Sequence, residues 1–109
     1  MSKIELQDFV YIGKLLATYG KLLSDDRQKI MTEYFEYNMT LAEIAAERNI
    51  SRQAVLDAID KSCKKLKGYE VALGVCNKKD ELIKKLTNLS EFTEDLKIKE
   101  KVEQILKDL

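Results

Sequence analysis

Three consecutive residues, Ser51, Arg52 and Gln53, carry side chains that suit the reading of duplex DNA. An arginine can donate two hydrogen bonds to one guanine, and a glutamine can make a similar two-point contact with adenine. A helix beginning here would present both side chains at its N-terminal end, which enters the major groove in DNA-binding helix-turn-helix proteins. Leu56 is expected on the outward face of the same helix. We therefore take these four residues as candidate DNA contacts.

Lysines further along the same predicted helix are candidate contacts to DNA phosphates. The candidates are Lys61, Lys64 and Lys65. Solvated lysines are common on exposed helices, which is the alternative explanation of this run. Asp57 and Asp60 oppose DNA binding, because two carboxylates one turn apart would face a polyanion and only a cytosine amino group would favour an acid there. The residues on this face therefore leave the nature of its ligand open.

Residues 40–59, TLAEIAAERNISRQAVLDAI, have the spacing of two helices joined by a tight turn. Thr40, followed three residues later by Glu43, predicts a capping box at the start of the first helix. Ala45 is small enough to let the two helix axes approach closely. Asn49 suits a turn position with a left-handed backbone, which glycine prefers and asparagine tolerates. This pattern predicts a helix-turn-helix.

The second helix of this motif is predicted to run from residue 52 to about residue 73. Ser51 is a good N-cap for it, and Ile50 in the turn is expected to fill the angle between the two helices. A break is expected at Gly74 or Asn77. The residues predicted to face the core at helical spacing are Val55, Ala58, Ile59, Leu66, Tyr69 and Leu73.

Two helices are predicted before the motif. The first spans residues 6–19 and stops at Gly20, and the second begins after the N-cap Ser24 and ends at Asn38. Their predicted core residues are Leu6, Phe9, Val10, Leu16 and Tyr19 in the first helix and Ile30, Met31, Tyr34 and Phe35 in the second.

Two strongly amphipathic helices are predicted after the motif, over about residues 79–89 and 94–109, with a loop-like stretch at 88–93. Their apolar faces would either form a dimerisation or partner surface or pack on the domain's own N-terminal helix. The residues expected to face inward are Leu82, Ile83, Leu86, Leu89, Ile98, Val102, Ile105 and Leu109.

Composition predicts a single all-α domain over residues 1–109. Proline is absent, glycine occurs four times and 45% of the 109 residues are apolar, so long helices are favoured and turn residues for a sheet are scarce. Lys and Arg number 19, as do Asp and Glu, and the net charge is zero. Because no global field would attract nucleic acid, any basic patch must be local.

The residue types also weigh against an enzyme, a metalloprotein and a membrane protein. The chain has no histidine, the commonest general base and metal ligand, and it has no glycine-rich phosphate loop. Cys63 and Cys76 are too few and too far apart for a zinc site, so we expect buried or idle thiols and no cofactor. No apolar run reaches the roughly 20 residues that span a bilayer. We expect a cytoplasmic protein.

Residues 22–70 closely resemble the YlxM family of small bacterial proteins. The resemblance has three parts. A leucine and a serine precede a helix that contains a glutamine and tyrosines. The TLAEIA and SRQAV blocks follow, and a leucine, a tyrosine and a glutamate end the match. The motif is also similar to the helix-turn-helix of sigma factor region four, which binds promoter DNA and the polymerase. The matching residues are Leu23, Ser24, Gln28, Tyr34, Tyr37, 41–45, 51–55, Leu66, Tyr69 and Glu70.

The YlxM resemblance implies an all-α helix-turn-helix domain, of the winged-helix or sigma-region-four type, with additional C-terminal helices. The helix-turn-helix core is expected at residues 24–70. The helical extension at 75–109 is expected from its own apolar pattern, because the C-terminal third of the family is variable. The resemblance further implies a regulatory role in the signal recognition particle pathway. The direct ligand is then duplex DNA, or a protein or ribonucleoprotein component of that pathway. A third alternative is a structural adaptor in which the helix-turn-helix is only a stable scaffold and residues after Leu73 form a homodimer. The family often has glycine where this chain has Asn49.

Overall fold

The structure, a computed structural model, describes residues 6–109, with side chains from Asp8 onward. No β-strand occurs within this range, which confirms the all-α prediction and shows that the described residues carry no wing. Leu6, a predicted core residue, lies outside the described side chains. The helices are α1 Leu6–Tyr19, α2 Asp25–Phe35, α3 Leu41–Arg48, α4 Arg52–Leu73, α5 Val75–Phe92 and α6 Leu96–Asp108.

Local signals set most boundaries of the first four helices. Ser24 caps α2, because its Oγ accepts a hydrogen bond from the backbone N–H of Arg27 at 3.3 Å. Helix α1 ends at Tyr19 as predicted and leads into a 3₁₀ turn at Gly20–Leu22. Helix α4 ends where Gly74 adopts a φ of 63°, a conformation that glycine reaches without steric cost.

The boundaries of the two C-terminal helices differ from the prediction. Helix α5 begins at Val75 and continues to Phe92, so the loop expected at 88–93 is wrong. Asn88 and Ser90 resemble loop residues, but neither glycine nor proline interrupts this stretch and the helix passes through it. The connection is residues 93–95. Asp95 then caps α6, since its Oδ1 accepts from the N–H of Lys97 at 2.8 Å.

The chain divides into two compact units, of which the first ends at Leu73. Its centre is α4, which packs against α1, α2 and α3. The expected core of α1 needs correction: Val10 is exposed, whereas Ile12 and Leu15, which the prediction missed, are fully buried. Leu73 is also exposed rather than on the core side. Three helices contact α4, so its buried surface is broader than a single stripe.

Polar contacts join the C-terminal end of α4 to neighbouring elements. Near its C-terminal end, the Tyr19 hydroxyl donates to Oε1 of Glu70 at 2.5 Å. The Tyr69 hydroxyl donates to the carbonyl oxygen of Leu22 at 3.5 Å. The tyrosine and glutamate of the YlxM-like pattern therefore join α4 to α1 and to the 3₁₀ turn.

The second unit spans Gly74–Leu109 and consists of α5 packed against α6. A connection of three residues between long helices produces an antiparallel hairpin. Val102 is buried as predicted, and Ile83 and Leu86 are partly buried. The other residues expected to face inward are substantially exposed, and they are Leu82, Leu89, Ile98, Ile105 and Leu109.

Candidate nucleic-acid interface

The turn between α3 and α4 has the predicted geometry. The N–H of Glu43 donates to Thr40 Oγ1 and the N–H of Thr40 donates to Glu43 Oε1, each at 3.1 Å, which completes the capping box. Asn49 has a φ of 54° and a ψ of 44°, in the left-handed region. Ser51 Oγ accepts from the N–H of Ala54 at 3.0 Å and begins α4. These contacts hold the start of α4 at the protein surface.

Hydrogen bonding also shifts the pKa of the glutamate in this capping box. The N–H of Thr40 stabilises the charged carboxylate of Glu43, so the pKa of Glu43 lies below its usual value of 4.5. The Glu43 carboxylate is therefore charged at neutral pH. It lies at the N-terminal end of α3, where a negative charge is favourable.

Arg52 and Gln53 are exposed on the first turn of α4, as expected of side chains that contact bases. The Nε2 of Gln53 donates to Oδ1 of Asp57 at 3.0 Å, one turn along the helix. This bond occupies one amide donor of Gln53 and brings a carboxylate next to it. Arg52 is thus the candidate contact on this turn that carries a positive charge.

Two apolar residues around the turn are placed differently from the prediction. Leu56 was expected to face outward, but only 8% of it is exposed, so it belongs to the core and cannot contact a base. Ile50 was expected to fill the angle between the helices, but 42% of it is exposed. Ile44 and Val55 are the fully buried residues on either side of the turn. Ile50 therefore offers an exposed apolar side chain beside Ser51, suited to contact with a thymine methyl group.

The three candidate lysines lie in the middle of α4 and are all exposed. Lys64 is about 18 Å along the helix axis from Arg52, at 1.5 Å per residue. The lysines border a surface groove of about 460 Å³ between α4 and the start of α2. The groove is lined by Leu23, Ser24, Arg27, Lys61, Ser62, Lys64 and Lys65.

Arg27 is the groove residue that the sequence reasoning missed. Its Nη1 donates to the backbone carbonyl of Ala58 at 3.3 Å, which anchors the guanidinium against α4 and next to the lysines. The lining of this groove contains four cationic side chains and no acidic one. In the sequence, Arg27 lies between aspartates and a glutamine on another helix, and only its distance from α4 in space reveals its role.

Arg48, at the end of α3, forms a structural ion pair with Glu33 of α2. Its Nη1 and Nη2 donate to the two carboxylate oxygens of Glu33 at 2.6 and 3.2 Å. The hydrogen bond to Glu33 raises the pKa of Arg48 above its usual value. Because both side chains are mostly buried, this arginine joins α3 to α2 and is engaged away from any ligand.

The described residues show neither a metal cluster nor a membrane span. Among residues 6–109, no group of three or more Cys, Asp and Glu side chains is arranged to hold a metal ion. Cys63 is partly buried and Cys76 is buried, and burial raises the pKa of the Cys63 thiol to about 11. None of the helices in the described range is long and apolar enough to cross a membrane.

Comparison with known proteins identifies the family. Residues 6–109 match the model of the family UPF0122, described as "Putative helix-turn-helix protein, YlxM / p13 like". A UPF0122 protein of Fusobacterium nucleatum is 37% identical over 105 residues, covering 95% of this chain and 97% of the relative. One of Clostridium perfringens is 38% identical over 104 residues, covering 87% and 93%. One of Thermoanaerobacter pseudethanolicus is 31% identical over 100 residues, covering 92% and 86%.

The match to the family model includes every helix described above, and the relatives cover nearly the same length. The match therefore includes the residues of both the helix-turn-helix and the C-terminal hairpin. The chain belongs to the UPF0122 family of YlxM/p13-like helix-turn-helix proteins.

Proposed function

We propose that this protein is a regulatory DNA-binding protein that inserts the first turn of α4 into the major groove. The observation that carries the proposal is the exposure of Arg52 on that turn, next to a left-handed Asn49 and a capped helix start. This end of the recognition helix contacts base edges in helix-turn-helix complexes. Arg52 would donate to guanine, Gln53 would contact adenine, and Ser51 would bind a neighbouring phosphate or base.

The groove between α2 and α4 supplies the electrostatic part of the proposal. The net charge of the chain is zero, so attraction to DNA must come from a local concentration of cations. Lys61, Lys64, Lys65 and Arg27 provide one, and they would contact phosphates and release counterions. The acids Asp57 and Asp60 limit affinity and favour sites where a cytosine amino group meets a carboxylate.

We propose the signal recognition particle pathway as the setting of this regulation, and cytoplasm as its location. This part of the proposal is supported by the YlxM resemblance of residues 22–70 alone. It predicts that a strain lacking the protein has altered levels or activity of targeting components. Measuring the abundance of those components in deletion and complemented strains tests it.

Fluorescence anisotropy of a labelled random duplex, titrated with the protein at several salt concentrations, tests DNA binding. We expect micromolar affinity whose logarithm falls linearly with the logarithm of salt concentration, with a slope that implies about four phosphate contacts. Arg52→Ala should weaken binding at every salt concentration. The variant that combines Lys61→Ala, Lys64→Ala and Lys65→Ala should have a shallower salt dependence, which corresponds to about three fewer phosphate contacts.

Lys84→Ala is the matched control, because Lys84 is exposed on α5 and lies outside both the turn and the groove. It should leave affinity and slope unchanged. Absence of binding by the wild-type protein at low salt would refute the DNA-binding proposal. Binding that Arg52→Ala leaves intact would refute the assignment of the α4 turn as the interface.

A second candidate function is an adaptor that uses the same face to bind a protein or ribonucleoprotein component of the targeting machinery. The observation favouring it is the hydrogen bond between Gln53 and Asp57, which keeps a carboxylate at the centre of the face. A basic partner surface would attract this carboxylate, whereas DNA would repel it. Binding of labelled protein to purified targeting GTPases, with loss on Asp57→Ala, tests this alternative.

A further inference from the structure

Helix α5 carries a row of exposed apolar side chains that its own hairpin does not cover. Val75, Leu82 and Leu89 follow one another at intervals of seven residues and expose 47%, 44% and 46% of their surface. Residues at this spacing lie along one side of a helix. Val75 begins the row at the first residue of α5, and Leu89 ends it one turn before the helix terminates.

A second row lies on α6. Ile98 and Ile105 are also seven residues apart, and Leu109 continues the row one turn later. All three are partly exposed. On each helix, the row lies beside the residues that face the other helix. Viewed along each helix from its N-terminus, both rows are displaced from those residues in the same rotational direction. Because α5 and α6 run antiparallel, equal angular offsets bring both rows to the same face of the hairpin. We call this surface, made of Val75, Leu82, Leu89, Ile98, Ile105 and Leu109, the hairpin face.

The interior of the hairpin is small compared with this face. Within residues 74–109, all of which are described, Cys76 and Val102 are the buried apolar side chains. A unit of this size buries too little apolar surface to be stable by itself and ordinarily needs a further cover. The hairpin face leaves between 36% and 47% of six large apolar residues open to such a cover.

We propose that a second copy of this chain covers the hairpin face and that the protein is a twofold symmetric dimer. The six partly exposed residues form one apolar patch along the length of the hairpin. Each partner contributes roughly 800 Å² to a stable interface, of which a little over half is apolar, and the hairpin face would form the apolar centre of such an interface.

The charge of the hairpin also suits self-association. Residues 75–109 contain eight basic and eight acidic side chains, so two copies would meet without net repulsion. A twofold contact brings the same patch of each chain together, and a patch with both signs of charge can be complementary to itself. A strongly acidic or basic hairpin would instead favour a partner of opposite charge.

Dimerisation has a consequence that rests on the proposed DNA binding. Two α4 turns in one particle would contact two half-sites, so the preferred DNA would be a palindrome or an inverted repeat. The dimer itself requires no DNA. A monomer in solution would therefore contradict the dimer and leave the DNA-binding proposal intact. A dimer without affinity for DNA would contradict the DNA-binding proposal and leave the dimer intact.

Light scattering coupled to size-exclusion chromatography, under reducing conditions and from about 1 to 100 µM protein, tests the inference. We expect twice the chain mass for the wild type, and the mass of a single chain for the combined Leu82→Glu and Ile105→Glu variant. Val71→Glu is the matched control, because Val71 is a large apolar residue on α4 with 90% exposure. It should leave the dimer intact.

Unfolding of the wild type provides a second measurement that does not depend on the variants remaining folded. The thermal midpoint of a dimer rises with protein concentration, whereas that of a monomer is constant. A concentration-independent midpoint together with the mass of one chain at 100 µM would overturn the proposal, and another protein or the remainder of the same chain would then be the cover. A dimer that persists in the double variant would overturn the assignment of the interface.

Discussion

Gln53 donates a hydrogen bond from Nε2 to Oδ1 of Asp57 at 3.0 Å, across one turn at the start of α4. The bond ties a side chain that suits adenine to a side chain that repels DNA. Both residues are exposed, so the pair can separate when a ligand approaches. In the proposed complex with DNA, the Asp57 carboxylate would lie near phosphates and would oppose binding.

Asp57→Ala should tighten binding to random duplex DNA about three- to tenfold at low salt, because it removes a repulsive charge and frees the Gln53 amide. Anisotropy titrations at several salt concentrations measure the change. In a Gln53→Ala background, Asp57 still repels the phosphates but its hydrogen bond to Gln53 is absent. A smaller gain in DNA affinity from Asp57→Ala in this background would therefore measure the contribution of that hydrogen bond. Unchanged or weaker binding by Asp57→Ala would contradict the DNA orientation proposed here.

Arg48→Ala should destabilise the first unit by about 2 kcal/mol, because it leaves the mostly buried Glu33 carboxylate without its charged donor. Arg48→Lys should recover only part of this loss, since an ammonium cannot donate to both carboxylate oxygens in the same way. Urea unfolding measures the free energy of unfolding. Arg52→Ala makes the same chemical change at an exposed position and should alter stability little, so equal losses for Arg48 and Arg52 would count against the Arg48–Glu33 pair.

Asn49→Ala should lower the free energy of unfolding by about 1 kcal/mol, since alanine is strained in the left-handed region that Asn49 occupies. Asn49→Gly should cost less or stabilise slightly, because glycine adopts this backbone readily. Thermal or urea unfolding provides the comparison. Asn88→Ala, within α5, is the control and should not destabilise the protein. A harmless Asn49→Ala would mean that the turn relaxes to another conformation.

Glu43→Gln should make the stability of the protein less dependent on pH in the acidic range. The pKa of Glu43 is lowered in the folded state, so its stabilising charge is present above the unfolded value of 4.5 and is lost as pH falls through the folded pKa. The stability difference between wild type and Glu43→Gln should therefore be largest near neutral pH and shrink below pH 4.5. Thermal midpoints measured from pH 7 to pH 3 test this, with the neighbouring Glu47→Gln as the control. A difference that grows with acidification would have the wrong sign.

The Cys63 thiol should react slowly with alkylating reagents in the folded protein. Burial raises its pKa from 9.0 to about 11, which leaves about a hundredfold less thiolate at pH 8. Iodoacetamide labelling followed by peptide mass spectrometry separates Cys63 from Cys76, and the same reaction in urea gives the unfolded reference. Equal rates for Cys63 in the folded and unfolded chain would show that the thiol is accessible and ordinary.

Local interactions are what the sequence determined. The Thr40–Glu43 capping box, the left-handed Asn49 and the caps at Ser24 and Ser51 involve residues within four positions of one another, and all formed as predicted. The ends of α4 followed from the same kind of signal. The loop expected at 88–93 failed because weak helix formers do not stop a helix that neither glycine nor proline interrupts.

Tertiary packing decided which side of each helix is buried. Leu56 became core because α4 is surrounded by three helices, which no periodicity within α4 could reveal. Arg27 reached the lysine groove through a contact with Ala58, 31 residues away, and Arg48 found Glu33 on another helix. On α5 and α6 the apolar rows were legible in the sequence, but their exposure was not, because a hairpin of two helices has room to bury only part of two apolar faces.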